Sequence, residues 1–474
     1  MNVKMSEFLK QQKKHLKKLV ENLSEDFPYV SILGTDTKGT TYVVKKTGTS
    51  INESRWVERG FVARVYNGKG YSEYSFNEIG NLAEVETAIR KTAKDDVELL
   101  IGEKINFLEY PLIDDIPVTD TFFGTVETLP DNTSPEEIIN SLTSILEKGL
   151  TLSESLIDIR VMFDYANISK IFISNNKDLE QAYVWSNAYI IPIGRNEKGV
   201  KYSLNTVSGL KGSEILKELS TKLEGAISDM EALLSSEPVV PGVYDIICDT
   251  AMAGLIAHEA FGHGVEMDMF VKKRAKAMEY MNKTVASLKV QMFDGAKSAI
   301  QVSSFLFDDE GTLGTDIQII KDGILKAGLS DLLSALKLGT TPTGNGKRQS
   351  FERKAYARMT NTFFGPGSDS VEDMIKSITK GYLLESYSSG MEDPKNWGIQ
   401  CVASRGREII NGELTGKVVS PVYLTGYVPD LLQDITMLSE NVELKGSGAC
   451  GKGYKEMVKT SIGGPFLKTR GRLA

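Results

Sequence analysis

Two histidines five residues apart constrain this chain more than any other feature of its sequence. The segment His258-Glu259-Ala260-Phe261-Gly262-His263 holds two of only three histidines in the chain. Two neutral imidazoles can hold a metal ion, and a neighbouring carboxylate can take a proton from its water. In a regular α-helix residues i and i+5 point about 140° apart, so the two rings cannot share one ion. A metal site therefore requires a π-bulge or a broken last turn, and Gly262 permits either.

A regular helix without metal is the alternative structure for this segment. In that helix Glu259 and His263 would form an i,i+4 pair on one face. The spacing is also one residue longer than the usual H-E-x-x-H motif of zinc peptidases.

A zinc site also needs a third protein ligand, and Cys450 is the strongest candidate. It lies in a glycine-rich segment, residues 446–453, with few apolar neighbours to pack against. Because cysteine usually packs as a small apolar residue, its presence here is better explained by its sulfur. Glu266 is the alternative ligand, and Asp268 is a weaker one. By contrast, the other two cysteines, Cys248 and Cys401, lie in apolar segments and are expected in the core.

Composition limits the classes of function. The 474 residues are enough for two or more domains. A formal net charge of -8 argues against a nucleic-acid partner. Neither a signal-peptide pattern nor an apolar run of membrane-spanning length is present, which predicts no membrane association. Three sparse cysteines favour a reducing compartment, so a cytoplasmic location is expected.

The remaining pattern predicts an α+β subunit of two domains. Two prolines and a glycine within residues 238–242 form a natural seam after a helix. We therefore predict an N-terminal α/β domain, residues 1–236, and a β-rich C-terminal domain, residues 237–474, that carries the histidine helix. A strand is expected over residues 242–248, with Asp249 or Thr250 capping that helix. Helices are also expected over residues 6–24, 80–97, 135–148, 213–234 and 370–381, and strands over 29–33, 41–46 and 61–66.

Five sequence blocks, taken in order, form a pattern that extends beyond the histidines. They are His258–Glu266, Asp308–Thr312, Pro342–Gly346, Arg358–Thr362 and Gly448–Gly451. In this order they resemble the TldD/PmbA family of metallopeptidase-like proteins, and the chain looks like the TldD-type branch. The likeness covers most of the chain. It departs from the family at an alanine before Cys450, where threonine is more usual, and over the first 50 residues.

This resemblance implies a particular site and assembly. It implies Zn²⁺ held by His258, His263 and Cys450, with Glu259 as the general base. It also implies that unfolded or small peptides are cleaved in an enclosed cavity of a dimer, with the N-terminal domain contributing to the cavity and to dimerisation. The expected assembly is a homodimer, or a heterodimer with a relative that lacks the motif.

Three further residues in the blocks are candidate substrate contacts. Arg358 and Asn361 could contact the peptide or its developing oxyanion, and Asn345 could line the cleft. Each could instead brace the fold through buried hydrogen bonds.

Two other functions remain open at this point. Cys450 could act as a nucleophile with His263 as its base, without a metal. Alternatively, the chain could be a peptide-binding or regulatory subunit with a structural metal. The intact Glu259 favours catalysis, because a closed structural site needs no neighbouring base.

Overall fold

The computed structural model describes residues 1–102, 109–453 and 456–474. Its α-helices are α1 (Glu7–Leu23), α2 (Leu82–Gly102), α3 (Pro135–Leu150), α4 (Ile215–Ser220), α5 (Leu223–Leu234), α6 (Thr250–Ile256), α7 (Met267–Val271), α8 (Leu332–Leu338), α9 (Val371–Lys376) and α10 (Val428–Gln433). Within these residues, no helix is both long enough and apolar enough to cross a bilayer.

The strands fall into two sets along the chain. The first set is β1 (Val30–Lys45), β2 (Gly48–Glu53), β3 (Glu58–Tyr66), β4 (Tyr71–Phe76), β5 (Val118–Phe123), β6 (Leu156–Ser174), β7 (Lys177–Asn196), β8 (Gly199–Tyr202) and β9 (Asn205–Gly209). The second set begins with β10 (Gly242–Cys248), β11 (Met292–Asp294), β12 (Ile317–Lys321), β13 (Ile324–Leu325), β14 (Gly346–Lys347), β15 (Tyr356–Ala357), β16 (Asn361–Phe364), β17 (Lys380–Asp393) and β18 (Gly398–Ile410). It ends with β19 (Glu413–Val419), β20 (Val422–Tyr427), β21 (Met437–Leu438), β22 (Glu443–Lys445), β23 (Ala449–Lys452), β24 (Glu456–Lys459), β25 (Ser461–Gly464) and β26 (Leu467–Leu473).

The first set of strands forms one large sheet, the first sheet. Its order is β4-β3-β1-β6-β7-β5, with β2 beside β1 and with β8 and β9 beside β7. The long strands β1, β6 and β7 are antiparallel neighbours. Apolar residues of α1 and α2 pack against β3, the first halves of β1 and β7 and the second half of β6. Those of α3, α4 and α5 pack against the opposite halves of β1, β6 and β7. Two separate apolar cores therefore support the first sheet.

The second set of strands builds two further sheets that hold the histidine helix. The second sheet has the order β10-β17-β18-β20-β26-β21, and the third has the order β13-β12-β11-β16-β25-β22. Helix α6 packs against β17 of the second sheet and β25 of the third. Gly254 permits this packing, since a Cβ at that position would lie 2.5 Å from the backbone nitrogen of Gly463. The helix is thereby fixed between the two sheets.

The predicted α+β class is confirmed, and several element boundaries need correction. The two strands predicted over residues 29–33 and 41–46 are parts of one long strand, β1 (Val30–Lys45). The helix predicted over residues 213–234 is broken into α4 and α5 at Thr221 and Lys222. The helix expected over residues 370–381 ends at Lys376, and strand β17 follows from Lys380. The strand over residues 242–248 is confirmed, whereas the division into domains 1–236 and 237–474 stays a prediction.

Candidate metal centre

The histidine segment folds as a π-helical turn, which is one of the two departures from a regular helix that a shared metal requires. Helix α6 begins at the predicted cap, where the Asp249 side chain accepts from the backbone N–H of Met252 at 2.7 Å. The helix passes into a π turn over Ala257–Gly262 and then into a 3₁₀ turn over His263–Val265. A π turn lengthens the repeat by one residue, so that i and i+5 come to the same side. The predicted departure from a regular helix is therefore confirmed.

Two glycines in this segment have different roles. Gly262 faces Met359, whose sulfur would overlap a Cβ at that position, so the π turn needs a glycine there. Gly264 has no positive φ and does not end the helical segment. Gly264 continues the 3₁₀ turn, and a Cβ there would lie 2.8 Å from a carboxylate oxygen of Glu392.

Three predicted ligands converge at the end of the π turn. One ligand atom each from His258, His263 and Cys450 lie within 4.8 Å of one another. The Cys450 Sγ lies 3.3 Å from the Nε2 of His263, and the two imidazole rings are 5.1 Å apart and nearly perpendicular. Cys450 was predicted in a loop, but it lies on strand β23, paired with Val458 of β24. The β23–β24 hairpin therefore brings the sulfur to the histidines.

These residues fit a zinc ion by their chemistry and by an unsatisfied atom. Two imidazoles and a thiolate form a donor set that zinc prefers, and three protein ligands leave one position for water. The buried Nδ1 of His258 has no hydrogen-bond partner in the part of the chain that the structure describes. Such orphaned atoms are rare in native proteins, and a bound ion is one of the features that account for them.

The charges around the cluster also favour a cation. Burial acts to raise the pKa of the Cys450 thiol, but His258 and His263 lower it more, so this pKa lies well below that of a free cysteine. Burial acts to lower the pKa of His263, but Glu266 and Cys450 raise it well above its usual range. The thiolate and carboxylate together therefore create a field that stabilises positive charge between the ligands.

Glu266, the alternative third ligand, lies behind His263 rather than in the cluster. Its Oε2 is 3.3 Å from the Nδ1 of His263, on the far side of the ring from Cys450. Burial acts to raise the pKa of Glu266, but Lys452, His263 and Arg358 lower it more, so it stays charged. A carboxylate in this position fixes the orientation of a ligating imidazole and increases its basicity. Asp268, the weaker candidate, pairs with Lys452 at 2.7 Å.

Glu259 lies beside the cluster and against strand β17. It is half-buried, and a Cβ at Gly390 would lie 2.9 Å from its Cδ. Gly390 therefore makes the space for the proposed base. A second carboxyl, that of Glu392 on β17, lies within electrostatic reach of Glu259, and its oxygens are buried without partners among the described residues. Burial holds the pKa of Glu392 well above its usual range, with His263 opposing and Glu259 adding to the effect.

The three candidate substrate contacts are buried in the fold, which favours the bracing alternative. Arg358 is 1% exposed and donates to the carbonyl oxygens of Cys450 at 2.6 Å and Glu456 at 3.1 Å. It therefore holds both strands of the β23–β24 hairpin that carries the sulfur.

The two asparagines brace the segment that leads to Arg358. Asn345 donates to the carboxylate of Asp294 at 2.8 Å and to the carbonyl of Arg358 at 2.9 Å. Asn361 donates to the carbonyl of Gly295 at 3.0 Å. Both asparagines are fully buried, so neither faces a substrate in this structure.

A large cleft opens beside the cluster. It has a volume of about 480 Å³ and lies between the first sheet and the second, and neither Glu259 nor the three ligands are among its lining residues. One wall comes from β7, β8 and α5, including Tyr189 and Tyr202, and the other from β17, β18 and the segment before Cys450. Tyr387 and Gly448 form the end of the cleft nearest Glu259 and Cys450. Sequence reasoning did not find Tyr387 or Glu392, because strand residues near the site carry no motif of their own.

Known proteins show the same sequence pattern and fold. Residues 241–469 match the family model described as the PmbA/TldA metallopeptidase C-terminal domain. Residues 241–469 carry the C-terminal domain of the TldD/PmbA family. Structural similarity extends over nearly the whole chain. TldE from Thermococcus kodakarensis is 16% identical with a TM-score of 0.74, covering 97% of this chain and 100% of that one. A solved Thermotoga maritima protein is 18% identical with a TM-score of 0.75, covering 98% and 100%.

Curated relatives in the family carry names that refer to metalloproteases. A metalloprotease of Synechocystis sp. is 30% identical over 62% of this chain and 63% of its own length. A metalloprotease TldD homolog of Buchnera aphidicola is 32% identical over 50% of this chain and 48% of its own. A zinc metalloprotease TldD homolog of Saccharolobus solfataricus is 27% identical over 72% and 76%. The chain thus aligns with about half of the Buchnera relative and less than two thirds of the Synechocystis one.

Proposed function

We propose that this chain is a zinc-dependent peptidase that cleaves unfolded or small peptides. The observation that carries the proposal is the π turn that brings His258 and His263 together with Cys450, while Glu259 remains beside them. The names of the relatives in Synechocystis, Buchnera and Saccharolobus support the same activity. The cleft beside the cluster would receive the substrate.

His258, His263 and Cys450 would hold the zinc ion. When bound, zinc acts as a Lewis acid that lowers the pKa of a water ligand and polarises a carbonyl. Because one of the three ligands is a thiolate, the net charge of the ion is reduced, and a milder Lewis acid than a three-histidine site is expected. This property suits slow processing of selected peptides rather than general digestion.

Glu259 would move the proton during cleavage. Its carboxylate takes a proton from the attacking water and then gives that proton to the leaving amine. Gly390 makes room for this side chain, since a Cβ there would overlap the Cγ of Glu259. Glu266 and Arg358 hold the imidazole of His263 and the backbone of Cys450, so the ligands stay in place while the proton moves.

The strands beside the cleft suit an extended peptide. Strand β17 passes the site through Ser386, Tyr387 and Ser388 on the cleft wall. Backbone groups at such a wall can bind a peptide with little dependence on its side chains. We therefore propose that the substrate is recognised as an extended chain, and that assembly as a homodimer or with a motif-less relative encloses it.

The test combines zinc content with peptide cleavage. Wild type, Glu259→Gln and the exposed control Glu279→Gln are loaded with zinc and given a mixture of unfolded peptides. We expect about one zinc per chain in all three, and a loss of about 10²–10⁴ in rate for Glu259→Gln alone. Bound zinc without cleavage in wild type would contradict the peptidase and favour a binding subunit. Cleavage that resists chelators and requires only Cys450 would instead support the thiol mechanism.

A further inference from the structure

Strand β17 is irregular at the point where it passes the candidate site. Its pairing with β18 shifts between Tyr387 and Ser389, and Ser386 has a φ of 54°. A positive φ is uncommon for a residue with a side chain and costs conformational energy. β-bulges are frequent next to active sites, where they change the direction of a side chain. The irregularity here determines the direction of Tyr387.

One carboxylate ties this bulge to the histidine helix. The Oδ1 of Asp249 accepts from Met252 at the start of α6, and its Oδ2 accepts from the backbone N–H of Ser386 at 2.9 Å. The backbone N–H of Asp249 also donates to the carbonyl of Leu384 at 2.9 Å. Tyr387 is therefore held in a fixed position relative to the ligands and Glu259.

The hydroxyl of Tyr387 has no hydrogen-bond partner among the described residues, and its side chain is half-buried. Within residues 1–102, 109–453 and 456–474, the structure shows no hydrogen bond from this hydroxyl. It faces the cleft and lies 3.8 Å from the position that a Cβ on Gly448 would occupy. Tyr189 in the same cleft differs, since its hydroxyl donates to the carbonyl of Ser447 at 3.1 Å. A half-buried hydroxyl that faces a cleft without a protein partner is available to donate to a ligand that enters the cleft.

The same hydroxyl remains a donor at neutral pH. Burial, with smaller contributions from Glu259 and Asp249, raises the pKa of Tyr387 to about 12. A phenol in this position can therefore donate to an oxygen in the cleft but does not take a proton from it.

We propose that the Tyr387 hydroxyl donates a hydrogen bond to the oxygen of the scissile carbonyl as negative charge develops there. This inference rests on the proposed peptidase function and makes Tyr387 a catalytic residue. A fixed donor aimed at a developing oxyanion stabilises the transition state more than the bound substrate. Its place between Glu259 and the strand of Cys450 fits this role, because the carbonyl must lie near both. The absent side chain at Gly448 leaves room for the peptide to approach.

The experiment compares zinc-loaded wild type with Tyr387→Phe and the control Tyr382→Phe. Tyr382 lies on the same strand and packs edge-on against Tyr244, with ring centroids 5.1 Å apart. For Tyr387→Phe we expect kcat to fall by about 10²–10³, with KM, zinc content and melting temperature near those of wild type. Tyr382→Phe should keep the wild-type kcat.

A binding measurement separates the catalytic role from a structural one. A phosphinic peptide, which mimics the tetrahedral transition state, should bind Tyr387→Phe more weakly by a factor similar to the loss in kcat. An uncleaved substrate peptide should bind Glu259→Gln and Glu259→Gln/Tyr387→Phe equally well.

Three outcomes would overturn the inference. The first is a wild-type kcat in Tyr387→Phe, and the second is a loss confined to KM or to zinc content with unchanged binding of the phosphinic peptide. Both of these outcomes would leave the proposed peptidase function standing, because wild type still cleaves the peptide. The third is a wild type that binds zinc and cleaves nothing, which would overturn the proposed function and this inference together.

Discussion

At the scale of single residues, Glu266 connects the candidate ligand His263 to the cations Lys452 and Arg358. Its carboxylate faces the Nδ1 of His263 and accepts a hydrogen bond from Lys452 at 2.8 Å. It also lies 3.8 Å from the guanidinium of Arg358. Its carboxylate is almost fully buried. A charge in this position acts on the metal through the histidine, so its effect should be seen in zinc affinity.

Glu266→Gln tests this connection. We expect zinc to bind about 10–100-fold more weakly, because a neutral amide orients and polarises His263 less than a carboxylate. Competition with a chromophoric chelator measures the affinity. Asp268→Asn is the matched control, since Asp268 shares Lys452 with Glu266 but does not reach the histidine. Equal zinc affinity in Glu266→Gln and wild type would contradict the role of this carboxylate.

Gly390→Ala tests the space that Glu259 occupies. The added methyl group would overlap the Cγ of Glu259 and lie 2.9 Å from Leu255, so the carboxylate must move. We expect a loss of at least about tenfold in kcat with zinc still bound, because a displaced base transfers protons poorly. Gly398→Ala on the neighbouring strand β18 meets no atom within 4 Å and is the control. The idea fails if the two variants have the same kcat.

The sequence predicts the chemistry of single residues better than their surroundings. His258, His263 and Cys450 stand out because few other functions explain those residue types in those places, and the structure brings them together. Arg358 illustrates the limit. A charged residue in a recognisable block suggests substrate contact, but only the fold shows that Cys450 and Glu456 supply its acceptors.

At the scale of elements, the π turn determines whether the two histidines can meet. It packs against strands β16, β17, β18 and β25. Met359, fully buried, fills the space beside Gly262. The turn is therefore stabilised by tertiary packing rather than by its own hydrogen bonds.

Gly262→Ala should disturb both the packing and the metal site. The methyl group would overlap the sulfur of Met359, and we expect the free energy of unfolding to fall by about 1–3 kcal/mol. Zinc affinity should fall as well, because relief of the overlap moves the turn. Urea unfolding and chelator competition measure the two effects. Gly225→Ala in α5, where nothing lies within 4 Å, should be neutral or slightly stabilising. Equal stability of both variants would count against tight packing at the π turn.

Element prediction succeeded where local geometry determines the structure. A metal shared by histidines at i and i+5 requires a π-bulge or a broken last turn, and Asp249 has the side chain of a helix cap, so both features follow from a metal-site interpretation of the sequence. The break at Thr221 and Lys222 was not, because the apolar spacing of α4 and α5 continues across it. The β23–β24 hairpin was missed because glycines around Cys450 suggest a loop, whereas its pairing with Val458 depends on the chain fold.

At the scale of the whole molecule, a buried ion cluster joins the two sets of strands. Arg64 on β3 binds Glu310 at 2.6 Å and Glu73 on β4 at 2.7 Å, and Glu73 also accepts from Arg348 at 3.0 Å. Glu310 and Arg348 belong to the part of the chain that carries the site, whereas Arg64 and Glu73 belong to the first sheet. The contact between these parts is thus partly electrostatic, which no local sequence pattern reveals.

Arg64→Met should destabilise the whole fold. Removal of this cation leaves the fully buried carboxylate of Glu310 without its partner. Loss of one member of a buried ion pair costs about 3–5 kcal/mol. Lys69→Met breaks an exposed pair with Glu109 and should cost at most about 1 kcal/mol. Urea unfolding at pH 7 measures the free energy of unfolding of both variants. Similar losses in the two would show that the ion cluster contributes little to stability.

The same cluster predicts the pH dependence of stability. Burial acts to raise the pKa of Glu73, but Arg64 and Arg348 lower it far more, to well below its usual value. A group with a lowered pKa in the folded state adds stability above its unfolded pKa of about 4.3, and this stability is lost as the pH falls below it. We therefore expect the free energy of unfolding to decrease from pH 5 to pH 3, with a smaller decrease in Glu73→Gln. If the free energy of unfolding falls by the same amount in wild type and in Glu73→Gln, the Glu73 carboxylate does not contribute to the pH dependence.

The coordination of bound zinc is the sharpest test of the site formed by His258, His263 and Cys450. X-ray absorption at the zinc edge, on zinc-loaded wild type and on Cys450→Ser, reports which atoms surround the ion. We expect one sulfur at about 2.3 Å and two imidazole nitrogens at about 2.0–2.1 Å in wild type. The sulfur signal should disappear in Cys450→Ser. A wild-type spectrum with two imidazoles and no sulfur would contradict the three-ligand site on which the proposed function depends.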